Sequence, residues 1–177
     1  MRPPPLLATA LALALSPASR AAEPQVTTVD SVSLESVSTD TETTTVCRDE
    51  VVAVGNDMTL HCDYLKVVAT RVGDKSVTLG KYGNFKYLLA TGHVVIVQGD
   101  RVATCGRAEV FPGEDRIVLT ETPVVEIKSE GYRVSGPRMV LYRGQRRAVV
   151  EGTQAERSHI SLPPIKDLGF PADKPSK

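Results

Sequence analysis

Residues 90–110 read ATGHVVIVQGDRVATCGRAEV, two apolar and partly β-branched runs separated by a polar QGDR sequence. Glycine and aspartate tolerate the positive φ of tight turns, so Gly99-Asp100 predicts a hairpin with two loop residues. In that register Val97 lies opposite Val102, and apolar and polar side chains alternate as in a half-buried antiparallel sheet. The apolar face predicted in this way carries Val95, Val97, Val102, Thr104, Ala108 and Val110.

The same combination of strand and turn signals recurs through the chain from about residue 46 to residue 152. Strands recur about every eight to twelve residues, a spacing typical of sandwiches, barrels and β-rolls. Glycine, proline, valine and threonine are frequent, and no convincing helix of ten residues follows the N-terminal segment. We therefore predict an all-β antiparallel fold.

Several short motifs occur in an order that carries a family resemblance. Residues 90–94 resemble a Gly-Asn-Val element, and residues 62–67 and 105–110 resemble two copies of one strand. Residues 117–125 resemble a Leu-x-Gly-x-Pro-x-Val element, with Glu121-Thr122 in place of the glycine. Residues 134–136 and 149–152 resemble a closing hairpin. In this order the motifs resemble the OstA-like family, periplasmic lipopolysaccharide-transport proteins of the LptA type.

The resemblance implies a β-jelly-roll or β-roll of V-shaped, stacked strands, whose open apolar interior shields acyl chains. It implies a non-enzymatic protein that binds or transports lipopolysaccharide, or a related lipid, towards the outer membrane. It also implies strand-addition partners of the same fold, either a second copy or components of a transport complex. The predicted lipid-facing residues are Leu65, Val67, Val95, Val97, Val102, Ala108 and Val110, with a bulge or a change of face near Asp63.

A different class of function also fits the strand pattern. A secreted structural or adhesion-type β domain would fill its interior with side chains and bind no lipid. The two hypotheses differ in whether the interior keeps an open apolar groove.

Three arginines surround Gly144 in a predicted turn. Arg143, Arg146 and Arg147 are candidates for binding phosphate on a lipid headgroup. The alternative is a solvated turn whose charge protects a sheet edge from pairing.

Three cysteines follow the N-terminal segment, so an oxidising compartment would leave one unpaired. Cys62 and Cys105 occupy equivalent places in the two apparent strand copies, and we predict that they are close or bonded. Cys47 is diagonal to Cys62 in the first predicted hairpin, so a Cys47–Cys62 bond is also open. The spacing of His61, Cys62 and Cys105 matches no zinc signature, and no metal site is predicted.

No sequence motif indicates an enzyme or a cofactor. The chain has no Gly-x-Ser-x-Gly element and no glycine-rich phosphate loop. Asp49, Glu50, Asp57 and Asp63 are best explained as acids at turns and on a solvated face. Zero net charge and 5% aromatic residues indicate no nucleic-acid partner.

The N-terminus resembles a secretory signal, with Arg2, a short apolar run and small residues before Glu23. We predict cleavage after Ala21; a retained anchor is the alternative, and no later segment is apolar enough to span a membrane. Cleavage there removes Arg2 and Arg20 and changes the net charge from 0 to −2. The predicted organisation is a signal peptide at 1–21, a flexible leader at 22–45, the β domain at 46–155 and a proline- and lysine-containing tail at 156–177. The alternative for the leader is a first, poorly specified strand.

Overall fold

The computed structural model describes residues 27–55 and 58–164. It contains twelve strands and one short 3-10 helix, Pro112–Glu114. The strands are β1 (Thr28–Asp30), β2 (Ser33–Ser38), β3 (Glu42–Gly55), β4 (Met58–Val72), β5 (Lys81–Gln98), β6 (Arg101–Phe111), β7 (Arg116–Thr120), β8 (Val124–Ile127), β9 (Tyr132–Ser135), β10 (Arg138–Tyr142), β11 (Arg147–Glu151) and β12 (His159–Ser161).

The strands form one antiparallel sheet that is bent into two layers, and β3 to β6 are long enough to run through both. Layer A contains β2, the segments 42–48, 64–72, 81–91 and 107–111, and then β7, β10 and β11. Layer B contains β1, the segments 51–55, 58–62, 94–98 and 101–105, and then β8, β9 and β12. Each layer therefore has eight strands, arranged in almost the order of the chain.

The bend between the layers runs through irregularities of the long strands. The pairing register shifts between Arg48 and Val51 in β3, between His61 and Tyr64 in β4, and between Thr91 and Val94 in β5. Asp49, Glu50, Gly92 and His93 all have positive φ at these points. Such bulges add residues to one strand and turn its direction, which allows a continuous sheet to fold over its own apolar face.

The predicted all-β antiparallel fold is confirmed, and the central hairpin has the expected register, with Val97 opposite Val102. The open sheet is consistent with a β-roll; the jelly-roll label is not confirmed. Among the described residues no helix is long and apolar enough to cross a membrane.

Two predicted domain boundaries require correction. The flexible leader expected at 22–45 is wrong for its described part, because β1 and β2 pair with β3 there. The tail expected at 156–177 likewise contains β12, which pairs with β9. Both segments are short and polar in sequence, and each becomes a strand because the sheet offers it a free edge. The predicted signal peptide at 1–21 lies outside the described residues.

Candidate functional site

Layer A carries two rows of side chains that cross all eight of its strands on the side facing layer B. The pairing registers define the row nearer the bend as Leu34, Cys47, Leu65, Ala90, Ala108, Leu119, Met139 and Val150. The next row is Ser36, Thr45, Val67, Leu88, Val110, Ile117, Leu141 and Ala148. Residues paired across neighbouring antiparallel strands point to the same face, so each row is a continuous stripe.

Layer B contributes a matching stripe. It consists of Val29, Ala53, Leu60, Ile96, Ala103, Val125, Val134 and Ile160. Residues of both layers belong to one hydrophobic cluster, in which Leu65 and Leu119 of layer A and Val94 of layer B are almost fully buried. We call the space between these stripes the trough.

The trough is open where the last strands end. A cavity of about 370 Å³ lies between the layers there, lined by side chains that include Val125 and Tyr132 of layer B and Met139 and Leu141 of layer A. Ile160 at this end is 51% exposed, and Leu34 at the opposite end is 59% exposed. The apolar stripes thus reach the edge strands at both ends of the sheet.

The two ends of the trough differ in polarity. At the N-terminal end the second row begins with hydroxyl groups, and the Ser36 and Thr45 side chains lie 3.3 Å apart. Ser38 and Thr43 form a similar pair of hydroxyls at 3.0 Å. The corresponding end of the row at β10 and β11 is apolar, with Leu141 and Ala148.

Comparison with known proteins identifies the family of this fold. The family model of the LptA/(LptD N-terminal domain) LPS transport protein matches residues 28–147, which is more than half of the chain. The chain belongs to this family. The OstA-like resemblance expected from the motifs is therefore confirmed.

A solved structure agrees with this assignment. The chain is similar to LptH from Pseudomonas aeruginosa, the LptA homologous periplasmic component of the conserved lipopolysaccharide transport device. The TM-score is 0.60 at 17% sequence identity, and the match covers 79% of this chain and 96% of that chain. At this identity the likeness concerns the fold alone. Comparison with curated proteins gives no significant match.

The family fold places the predicted lining residues on two different faces. Leu65, Val67, Ala108 and Val110 belong to the trough rows of layer A. Val95, Val97 and Val102 pair with one another or with polar residues on the outer face of layer B, opposite to Ile96 and Ala103.

The single predicted face is wrong because β6 changes face at the bend. Cys105 and Ala108 are both buried although they are three residues apart, so strict alternation fails at Gly106 and Arg107. The Gly106 amide donates to the carbonyl of Glu121 at 2.9 Å. A side chain at position 106 would lie only 2.6 Å from Cβ of Glu121. The expected change of face near Asp63 is present in β4, where Cys62 and Leu65 are both buried.

Other lining residues were not predicted. Leu88, Ile117, Leu141 and Ile96 lie in the trough rows and pack against the core cluster. Their alternation with outward-facing neighbours was visible in the sequence, but the sequence does not show which of the two alternating sets faces inwards.

The three predicted headgroup arginines lie together at the rim of layer A away from the bend, Arg143 and Arg146 in the turn between β10 and β11 and Arg147 at the start of β11. A nitrogen of Arg143 lies 3.0 Å from a carboxylate oxygen of Asp115. Arg147 lies over the ring of Tyr142, with 5.4 Å from its guanidinium carbon to the ring centroid. Arg146 has a positive φ, and all three side chains are exposed.

The three cysteines are buried free thiols, and the predicted Cys62–Cys105 pair is not formed. β5 lies between the two cysteines, and its Val94 pairs with Cys105. Two strand spacings amount to about 10 Å, whereas bonded cysteines need Cα atoms within about 7 Å. Burial raises the pKa of Cys62, next to Asp63, and the pKa of Cys105 to about 11.

An ionic cluster lies on the outer face of layer A. Glu109 accepts hydrogen bonds from Tyr87 at 2.6 Å and from Arg107 at 2.9 Å. These bonds lower the pKa of Glu109, while burial and the neighbouring carboxylate raise the pKa of Tyr87 to about 12. No group of three or more potential metal-ligating side chains occurs within residues 27–55 and 58–164.

Proposed function

We propose that this protein is a periplasmic, non-enzymatic carrier that binds lipopolysaccharide or a related lipid in the trough and passes it towards the outer membrane. The observation that carries the proposal is the continuity of the first row of layer A and of the stripe of layer B, which are apolar across all eight strands. A structural domain with a filled core does not need apolar rows that reach an open end. An acyl chain needs an apolar path that it can enter and leave. Membership of a lipopolysaccharide-transport family supports the same interpretation.

The size of the open end supports a lipid rather than a small polar ligand. Most of its lining side chains are apolar, and each CH₂ group removed from water contributes about 0.8 kcal/mol to binding. A few methylene groups in a cavity of about 370 Å³ therefore give useful affinity without any polar contact. The headgroup stays in water at the rim, where Arg143, Arg146 and Arg147 can meet its phosphates.

The edges of the sheet support strand addition by a protein of the same fold. Each layer has eight antiparallel strands, so its first and last strands run in opposite directions. In layer A, β2 of a following copy would therefore run antiparallel to β11. The register that continues the first row places Leu34 of the second copy beside Val150 of the first. The same step places Val29 of the second copy beside Ile160 in layer B. Stacked in this way, two troughs would form one continuous apolar path.

Export precedes this function, and we propose that residues 1–21 act as a signal peptide cleaved after Ala21. The apolar run between Arg2 and the small residues at 19–22 supports this proposal. The amino acid at the N-terminus of the exported protein, determined by mass spectrometry, would identify the cleavage site.

The proposal is tested with two trough variants and one outer-face control. Leu141→Asp puts a carboxylate among the apolar lining, Ala148→Phe fills the cavity without a charge, and Val97→Asp puts the same carboxylate on the outer face of layer B. We expect both trough variants to lose co-purifying lipopolysaccharide and Val97→Asp to retain it. Leu141→Asp would place an unpaired carboxylate among acyl chains, which is costly, and Ala148→Phe would fill the space that the chains need.

A thermal melt on each variant separates binding from folding. Ala148 is exposed, so its replacement leaves the fold intact even if Leu141→Asp unfolds. Normal lipid content in a folded Ala148→Phe variant, or absence of lipid from the wild type, would contradict the carrier and favour the structural β domain.

A further inference from the structure

The β4–β5 hairpin extends beyond the rest of the sheet as a two-stranded arm. The last residue of β4 that pairs with β3 is Thr70, and the first residue of β5 that pairs with β6 is Leu88. From Arg71 to Lys86 the two strands therefore have no third strand beside them, although the Arg71 amide still donates to the carbonyl of Thr41 at 2.8 Å. This arm, residues 71–86, stands at the rim of layer A, at the greatest distance along the strands from the bend.

The arm exposes apolar side chains along its length. Leu79 at the tip is 73% exposed, and Val72 and Val77 are each 45% exposed. Tyr82 (46% exposed) and Phe85 (56% exposed) lie nearer the base, where Phe85 pairs with Ala69. Clustered exposed apolar side chains on a soluble protein usually mark a contact surface, because their exposure to water is unfavourable. No other segment among the described residues has as many large exposed apolar side chains within sixteen positions.

The arm is also positively charged. This segment contains only one acidic residue, Asp74, and four basic residues, Arg71, Lys75, Lys81 and Lys86. Its net charge is therefore +3, whereas the whole chain has a net charge of 0. Lys86 pairs with Glu42. Neither Lys75 nor Lys81 takes part in a salt bridge with any described residue.

Internal bonds hold the arm in a defined shape. The Arg71 guanidinium donates to the carbonyls of Thr39 at 3.2 Å, Lys75 at 3.0 Å and Asp74 at 3.3 Å, and also to that of Val77. The Asp74 carboxylate accepts from the Ser76 amide at 2.8 Å. The apolar tip is therefore presented outwards and cannot fold back onto the sheet without breaking these bonds.

We infer that the arm is a membrane-contact element that inserts its apolar tip into the interface of a bilayer with anionic headgroups. Apolar and aromatic side chains flanked by lysines match the chemistry of that interface, where rings and chains enter the acyl boundary and ammonium groups stay with phosphates. Each basic residue near an anionic surface strengthens binding about fivefold. A protein partner would bury the apolar tip but would not by itself explain the unpaired Lys75 and Lys81 on its two sides.

The inference goes beyond the proposed carrier function, and its test does not require lipid in the trough. The chain contains no tryptophan, so Leu79→Trp introduces a single fluorescent reporter at the tip of the arm. Val32→Trp is the matched control, because Val32 is 70% exposed and lies outside the arm. Both variants are made in the full chain, purified as the cell processes it. The probe is a vesicle of phosphatidylglycerol and phosphatidylethanolamine, compared with one of phosphatidylcholine.

We expect the anionic vesicles to shift the emission of Leu79→Trp to shorter wavelength and to leave Val32→Trp unchanged. An absent shift at position 79, or an equal shift at both positions, would overturn the inference. So would a shift with dispersed lipopolysaccharide but not with vesicles, since the arm would then contact cargo.

A charge variant gives an independent measurement. Lys75→Gln combined with Lys81→Gln should lower the affinity for anionic vesicles in co-sedimentation about 25-fold. The control combination, Lys128→Gln with Arg133→Gln, removes two charges from layer B and should leave that affinity unchanged. Equal losses in the two combinations would indicate general attraction by net charge and would contradict a specific arm.

Discussion

Asp63 and His93 face each other across the bend, with 2.7 Å between a carboxylate oxygen of Asp63 and Nδ1 of His93. Both residues lie where β4 and β5 lose their regular register. Gly92 brings the two strands together there, because its φ is +76 and a Cβ at this position would lie 2.8 Å from Cβ of Asp63. The contact shows how the sheet turns from one layer to the other.

The bend therefore depends on Gly92, and we predict that Gly92→Ala destabilises the fold by about 2–4 kcal/mol. The substitution strains a left-handed backbone and also forces Asp63 aside. Gly73→Ala is the control, because Gly73 has a φ of +86 but a Cβ at this position would meet no atom within 4 Å. It should cost only about 1 kcal/mol. Equal losses in urea unfolding would mean that the clash with Asp63 is unimportant.

The buried thiols should be unreactive in the native protein. Because burial raises the pKa of Cys62 and of Cys105 to about 11, little of the nucleophilic thiolate is present at pH 8. We expect slow reaction with a disulfide reagent before unfolding, and three thiols per chain after unfolding without reductant. Fewer than three would reveal a disulfide that the present arrangement of strands does not contain.

The stabilisation by Glu109 should depend on pH with a defined sign. Its pKa is lowered from 4.5 by Arg107 and Tyr87, so folding favours the carboxylate. The contribution is fully present above pH 4.5 and is lost as the pH falls through the lower, folded-state pKa. Glu109→Gln should therefore be less stable than the wild type by about 1 kcal/mol at pH 7. In acid the free energies of unfolding of the two proteins, measured with urea, should converge. A difference that is constant with pH would assign the effect to packing instead.

The proposed stacking of copies predicts a specific cross-link. In the register that continues the first trough row, Leu34 of one copy lies beside Val150 of the next. Leu34→Cys combined with Val150→Cys should give a ladder of disulfide-linked oligomers under mild oxidation, resolved on a non-reducing gel. Each single variant should give no ladder. A double variant that remains monomeric when oxidised would rule out this register.

Local sequence was sufficient for the central hairpin. Gly99-Asp100 set a two-residue turn, and the turn determined that Val97 pairs with Val102, because hairpin register follows loop length. The same reasoning failed for the disulfide. Similarity between the strands that contain Cys62 and Cys105 says nothing about how many strands separate them, and β5 lies between them.

Edge strands were beyond local reasoning for a related physical reason. Val29 lies opposite Ala53, and Ile160 lies opposite Val134, so each terminal strand depends on a partner more than twenty residues away. A short segment such as His159–Ser161 has little intrinsic strand preference, and it is ordered by the backbone donors and acceptors that β9 presents.

The sequence by itself determined that this protein is an antiparallel β structure with alternating apolar side chains, because turn residues and two-residue periodicity act over a few positions. Only the tertiary structure decided which alternating set faces the trough. In β6 the set of side chains that faces the trough changes at Gly106. This change depends on the bend that Glu121 and the neighbouring strands impose. Ile96 therefore points inwards and Val97 outwards, although the two residues are nearly identical in local chemistry.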